Sequence, residues 1–187
     1  WDSSCVTEPM YLVCTHGKVD MCCSKFGLPI LKLLTDYGAN VWQCTHVTGD
    51  RFAPNVVQVP YGYYYGHLKL EEMLTFYKSL CANEIYFPKY RGRNYNTRHQ
   101  QAAEYFLRKH LNDFGYDNLL FQTQKTSIEQ TSFEIYHVPT SQTYEVVIDC
   151  VQSEEQYFMN CLATERKPVE VYSLISLSKL VNEQSLL

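Results

Sequence analysis

Short apolar runs punctuated by glycine, proline and polar residues fill the first half of the chain, and longer β-rich runs fill the second. Residues 1–9 are polar without periodicity and read as an arm. Residues 11–13, Tyr-Leu-Val, predict a short buried strand, and the loop at 14–25 leaves it. Pro29 suits a first helical turn, Ile30, Leu31, Leu33 and Leu34 form an apolar side, and Gly38 suits a left-handed stop. A helix over 28–37 follows. A second strand at 40–44 leads into a loop at 45–55. Runs at 56–59 and 63–65 flank Pro60, Tyr61 and Gly62 and predict a β-hairpin, in which alternation explains the tyrosines. Over 68–80, Leu70, Met73, Leu74 and Tyr77 predict one face of a helix.

The order β-α-β-β-β-α, with a parallel pair joined by a right-handed crossover, is that of an α/β thioredoxin-like core. The core is expected over residues 1–83. Residues 84–187 form a C-terminal helix plus antiparallel β extension, either a separate unit or a continuation of the same domain. Within it, residues 86–97 are basic and aromatic and read as an exposed irregular segment. Asn96 or Thr97 caps a helix running to a stop at Gly115. Extended runs at 119–124, 134–138 and 144–151 make a meander, 160–167 is polar, 169–177 is extended again, and the tail from 178 frays.

With 187 residues and 45% hydrophobic side chains, the chain can bury a core without disulfides or a structural metal. A net charge of -4 without a basic tract argues against nucleic acid as the main partner. No apolar run approaches a membrane span. Eight cysteines in this length fit a reducing compartment, the cytoplasm or another, better than a stapled secreted module. The start at Trp1 suggests a processed product or fragment, so that an N-terminal part is missing.

Metal-capable side chains gather after the first two strands. Cys14, His16, Asp20, Cys22 and Cys23 follow one, and Cys44, His46 and Asp50 follow the other. By spacing alone this is neither a zinc ribbon nor a complete Cys/His quartet. Placement strengthens it, because loops leaving adjacent parallel strands face each other. Cys22 or Cys23 can serve as the first-loop ligand, since vicinal side chains diverge, and Cys44 is either a buried small residue or a substitute ligand. His16 and Arg51 are candidate neighbours of the site, His16 as a hydrogen-bond donor and Arg51 as a charge offset. Cys5, Cys81, Cys150 and Cys161 read as packing or surface thiols. His67, His99, His110 and His137 read as structural, and Lys18 and Asp20 as solvated loop charges. The basic stretch from Lys89 to Arg98 reads as a solvated loop, with docking of an acidic redox partner or a phosphate-bearing cofactor as the rival.

Three stretches carry a resemblance: Cys14-Thr-His-Gly-Lys-Val-Asp-Met-Cys-Cys-Ser-Lys-Phe-Gly, Val41-Trp-Gln-Cys-Thr-His-Val-Thr-Gly-Asp-Arg-Phe-Ala-Pro-Asn-Val, and Pro60-Tyr-Gly-Tyr-Tyr-Tyr-Gly. Together they resemble the sucrase/ferredoxin-like family of thioredoxin-like ferredoxins. The likeness is strong over 11–68, weaker over 90–111, and absent beyond Gly115. In that family a 2Fe-2S cluster is held by two cysteines and two histidines. The resemblance implies Cys14, Cys23 and His46 as ligands, with Asp50 where the second histidine would stand. It implies an electron carrier serving redox partner proteins whose identity, like the oligomeric state, is unknown. The alternatives are a thioredoxin-fold thiol-redox enzyme using Cys22 or Cys23, a zinc or mononuclear iron site on the same residues, and an interaction subunit holding no cluster. No carboxylate pair is placed for glycoside hydrolysis.

Overall fold

The computed structural model describes residues 8–127 and 130–181. The expected N-terminal arm, apart from its last residues, Cys5, and the end of the tail lie outside the described residues. The chain divides into two compact units, Trp1–Tyr95 with Gln156–Lys167, and Asn96–Glu155 with Pro168–Leu187.

The first unit holds a five-stranded sheet in the order β2-β1-β3-β4-β5. Its strands are β1 (Met10–Cys14), β2 (Val41–Cys44), β3 (Val56–Val59), β4 (Tyr63–Tyr65) and β5 (Tyr90–Arg93). β1 runs parallel to β2, which it reaches through helix α1 (Met21–Asp36), and the remaining pairs are antiparallel. This is the α/β architecture expected of a thioredoxin-like core. Val13, Cys14, Val56, Tyr63 and Tyr65 are wholly buried, so the end of β1 that carries Cys14 lies inside the core.

α1 begins seven residues before the expected helix at 28–37, and the expected loop at 14–25 is cut short at Asp20. Asp20 is extended, and its carboxylate accepts the Cys22 N–H, so the chain turns helical immediately after it. Cys22 and Cys23 therefore lie in the first helical turn, and Pro29 lies in the interior, where it deprives one carbonyl of its amide partner. Gly38, at φ 82°, supplies the expected left-handed stop.

The β3/β4 hairpin forms as expected, with Gly62 at φ 71° in its turn. Helix α2 (Met73–Cys81) follows a short 3-10 turn at Leu70–Glu72, and it buries Met73, Phe76 and Leu80 while Leu70 and Leu74 stay exposed. The inward face is thus rotated from the expected one. Phe76 fixes it by packing edge-on against Tyr65 and Tyr86. The stretch expected to be irregular and exposed instead contains β5, which pairs with β4. Arg93 is buried because its guanidinium lies over the Tyr63 ring and donates to Tyr63 Oη at 2.8 Å.

In the second unit, helix α3 (Arg98–Leu111) is capped by Thr97, which exchanges hydrogen bonds with Gln100 as a capping box. It ends at a left-handed Asn112 rather than at Gly115. Glu104 and Arg108, one turn apart and both buried, pair at 2.9 Å. Arg108 Nη1 donates to the carbonyls of Asp113 and Gly115, and Asn96 donates to Glu104. An antiparallel sheet in the order β6-β7-β8-β9 follows: β6 (Leu119–Thr126), β7 (Thr131–His137), β8 (Gln142–Phe158) and β9 (Arg166–Lys179). β7 alternates buried and partly buried residues, so Phe133 and Ile135 meet Leu107, Leu119, Tyr144, Val146 and Ile148 in one core. β8 and β9 extend beyond the expected runs, and β9 continues past the predicted fraying point at 178. No helix of the described residues is long and apolar enough to cross a membrane.

Candidate metal centre

Cys14 closes β1, opposite Cys44 in the parallel register, and its N–H donates to the Asn55 carbonyl at 3.0 Å. Cys23 comes from the first turn of α1, where its N–H donates to the Asp20 carbonyl at 3.1 Å. Both thiols are wholly buried. Gly27, one turn further along α1, makes their approach possible. A Cβ at that position would collide with the Cys14 carbonyl oxygen.

His46 and Asp50 come from the loop after β2. Gly49, left-handed at φ 72°, starts the 3-10 turn Asp50–Phe52. Asn55 donates to the Gly49 carbonyl at 3.0 Å, and Arg91 Nη1 donates to Asn55 Oδ1 at 2.6 Å. The Arg91 guanidinium also lies 3.8 Å from the centroid of the Phe52 ring, with Arg51 4.3 Å from the same ring. Arg91, on β5, thereby braces the loop that carries His46 and Asp50.

The sulfurs of Cys14 and Cys23 and a ring nitrogen of His46 lie within 4.8 Å of one another. Asp50 Oδ1 approaches His46 Nε2 at 3.1 Å, within ion-pair reach but not aligned as a hydrogen bond. Asp50 Oδ1 and His46 Nδ1 are both buried without a hydrogen-bond partner, as is His16 Nδ1. Buried polar atoms are normally paired, and unpaired donors beside two thiols have the chemistry of a metal site. Burial, reinforced by the neighbouring Cys14, pushes the Cys23 thiol up to about 12. Burial, with Cys14 next to it, pushes Cys44 up to about 11. Burial here outweighs the helix N-terminus that would otherwise favour a Cys23 thiolate. Without a cation these thiols stay protonated at neutral pH, which counts against Cys23 as an attacking nucleophile.

The other expected residues fall elsewhere. Cys22 turns to Asp20 and Cys161, in a second group whose ligand atoms also lie within 4.8 Å of one another. Its thiol is pushed up to about 11, by burial first and by Cys161 and Asp20 next. Cys44 stays outside the Cys14, Cys23 and His46 group. Arg51 packs over the rings of Phe52 and Tyr157. Asp20, expected to be a solvated loop charge, is wholly buried as the cap of α1. Arg91 was legible only as part of a basic run. Its bracing role depends on the pairing of β4 with β5, which its sequence neighbours do not encode.

Residues 2–92 match the family model described as Sucrase/ferredoxin-like. Comparison with curated proteins and with solved structures finds no match. The matched stretch contains Cys14, Cys23, His46, Asp50 and the bracing Arg91, and ends within β5. Residues 2–92 of this chain are therefore similar to the sucrase/ferredoxin-like family.

Proposed function

We propose that the protein is an electron carrier whose 2Fe-2S cluster is held by Cys14, Cys23, His46 and Asp50. The observation that carries this reading is the meeting of two buried thiols with an imidazole nitrogen within 4.8 Å, beside a buried carboxylate oxygen that has no hydrogen bond. Soft sulfur with borderline nitrogen suits iron-sulfur chemistry, and the matching family is described as ferredoxin-like. Bound there, the cluster supplies one-electron exchange at a potential set by its ligands and their surroundings.

The chain's own residues do the rest. Cys14 on a strand and Cys23 on a helix hold their sulfurs on rigid elements, and their burial keeps water from them. Asp50 stands where imidazole would be neutral and adds a negative charge, which favours the oxidised state and lowers the potential relative to a two-histidine set. Arg51 and Arg91 place two positive charges beside this loop. Burial, with Arg51 close by, brings the Arg91 guanidinium down to about 10, a cost that an anionic neighbour would offset.

Iron, acid-labile sulfide and a visible spectrum on protein purified or reconstituted without oxygen test the reading. Two irons and two sulfides per chain with a coloured oxidised form are expected. One zinc without sulfide would assign the same donors to a mononuclear site, and a colourless, iron-free product would remove the carrier reading.

A further inference from the structure

Asp20 joins two cysteines that stand 141 residues apart in sequence. Its Oδ1 accepts the Cys22 N–H at 2.7 Å and the Cys161 thiol at 2.7 Å, and its Oδ2 accepts the Cys161 N–H at 2.9 Å. One buried carboxylate thus ties the backbones of both cysteines. The sulfurs of Cys22 and Cys161 and an Asp20 oxygen lie within 4.8 Å of one another. Both cysteines are free thiols, with Cys161 exposed and Cys22 half-buried.

Three donors this close invite a cation, but the hydrogen bonding argues otherwise. Both Asp20 oxygens already have partners, and neither is among the buried polar atoms left without one. What no other group occupies is the short gap between the two sulfurs, whose thiol hydrogen bonds stay within this cluster. Successive helix residues are rotated by roughly 100°, so Cys22 faces Cys161 while Cys23 faces Cys14 and His46.

We propose that Cys22 and Cys161 are a disulfide-forming pair, closed by exchange with a low-molecular-weight disulfide such as oxidised glutathione. The exposed Cys161 sulfur attacks one sulfur of the oxidant. The oxidant's S–S bond breaks, one reduced glutathione leaves, and a mixed disulfide remains on Cys161. The Cys22 sulfur then attacks Cys161 Sγ and expels the second reduced glutathione. Two protein thiols lose two electrons and two protons, and one glutathione disulfide becomes two thiols. Asp20 gives up its hydrogen bonds from the two thiols and keeps both backbone amides. The bridge fastens residues 156–167 to the helical turn that also carries Cys23.

The test uses the full-length protein, reduced and then exposed to oxidised glutathione without oxygen. The expected product is lighter by two hydrogens and carries no glutathione. Its unreduced tryptic digest joins the Cys22 peptide to the Cys161 peptide, and two cysteines, identified by fragmentation as Cys22 and Cys161, escape alkylation. Tm rises by about 5 °C or more, because the closed loop is long, and dithiothreitol reverses every change. Cys22→Ser and Cys161→Ser each abolish the bridge, whereas Cys150→Ser keeps it. Alkylation of the wild-type protein decides the matter even where a variant fails to fold. A stable glutathione adduct on Cys161 with Cys22 still alkylatable, or a bridge that uses Cys23 or Cys150, overturns the proposal. So does stoichiometric zinc in the reduced wild type that Cys161→Ser loses.

Discussion

Replacing Asp20 with alanine removes three hydrogen bonds and the start of α1 together. Loss of an N-cap side chain costs about 1 kcal/mol. The two bonds from Cys161 to an ionised acceptor add about 1–3 kcal/mol, at the low end because Cys161 is exposed and its amide can be rehydrated. A total of about 2–4 kcal/mol corresponds to a fall in Tm of about 4–16 °C for a chain of this size. Asparagine caps as well as aspartate, so Asp20→Asn should retain the cap, lose the charge, and fall between wild type and Asp20→Ala. The two substitutions should also differ from wild type in acid. Burial raises the Asp20 pKa, but hydrogen bonds from the Cys161 thiol, the Cys161 amide and the Cys22 amide outweigh it and hold the carboxyl below its usual value. A depressed folded pKa gives stability that is fully present above the unfolded value near 3.9 and fades as pH falls through the folded one. Wild type should therefore lose its advantage over Asp20→Asn below about pH 4. Urea unfolding of the three proteins at pH 7 and pH 3, followed by circular dichroism, measures both effects. A loss under 0.5 kcal/mol for Asp20→Ala at pH 7 would refute the assignment of Asp20 as the organising cap.

Three further outcomes follow from the same structure. Asp50→His in the iron-loaded protein should raise the reduction potential by about 100 mV or more and slow acid bleaching; a lower potential, or an unchanged spectrum and lability, removes Asp50 from the ligand set. Gly27→Ala pushes α1 off the Cys14 carbonyl, so it should cost about 1–3 kcal/mol and reduce iron retained per chain; full retention with no loss of stability contradicts the close approach. Glu104→Ala leaves Arg108 buried without its partner and should cost about 3–5 kcal/mol in urea unfolding, whereas Glu104→Leu with Arg108→Met should recover most of that loss.

Where a signal lies within one element, it was readable in the chain. β1 and β2, the hairpin turn at Gly62 and the Thr97 cap all follow from local chemistry and need no tertiary information. The start of α1 shows the limit of that method. Pro29 pointed to a start at 28, and Asp20 read as a loop charge; the burial of Cys23 and Gly27, with Gly27 against the Cys14 carbonyl, belongs to a helix that begins after Asp20. Arg93 resisted for another reason, because the aromatic face and hydroxyl that allow its burial belong to Tyr63, 30 residues away. The loops after β1 and β2 were legible as one group because strand ends in a parallel pair converge, but it was the family resemblance that singled out Cys14, Cys23 and His46 within them. The approach of Cys161 to Asp20 leaves no mark on either neighbourhood.

The discontinuous composition of the first unit sets an order of events during synthesis. Every residue proposed to bind iron has been made by Asp50, but Asp20 waits for Cys161, another 141 positions along the chain from it. At about 5–20 residues per second, that delay is of the order of ten seconds. During it Asp20 caps α1 through the Cys22 amide alone, without the Cys161 amide and thiol that later join it. A ribosome-bound chain stopped short of residue 161 should accordingly trap thiol-reactive reagents at Cys22 that the finished protein, oxidised at the proposed pair, excludes.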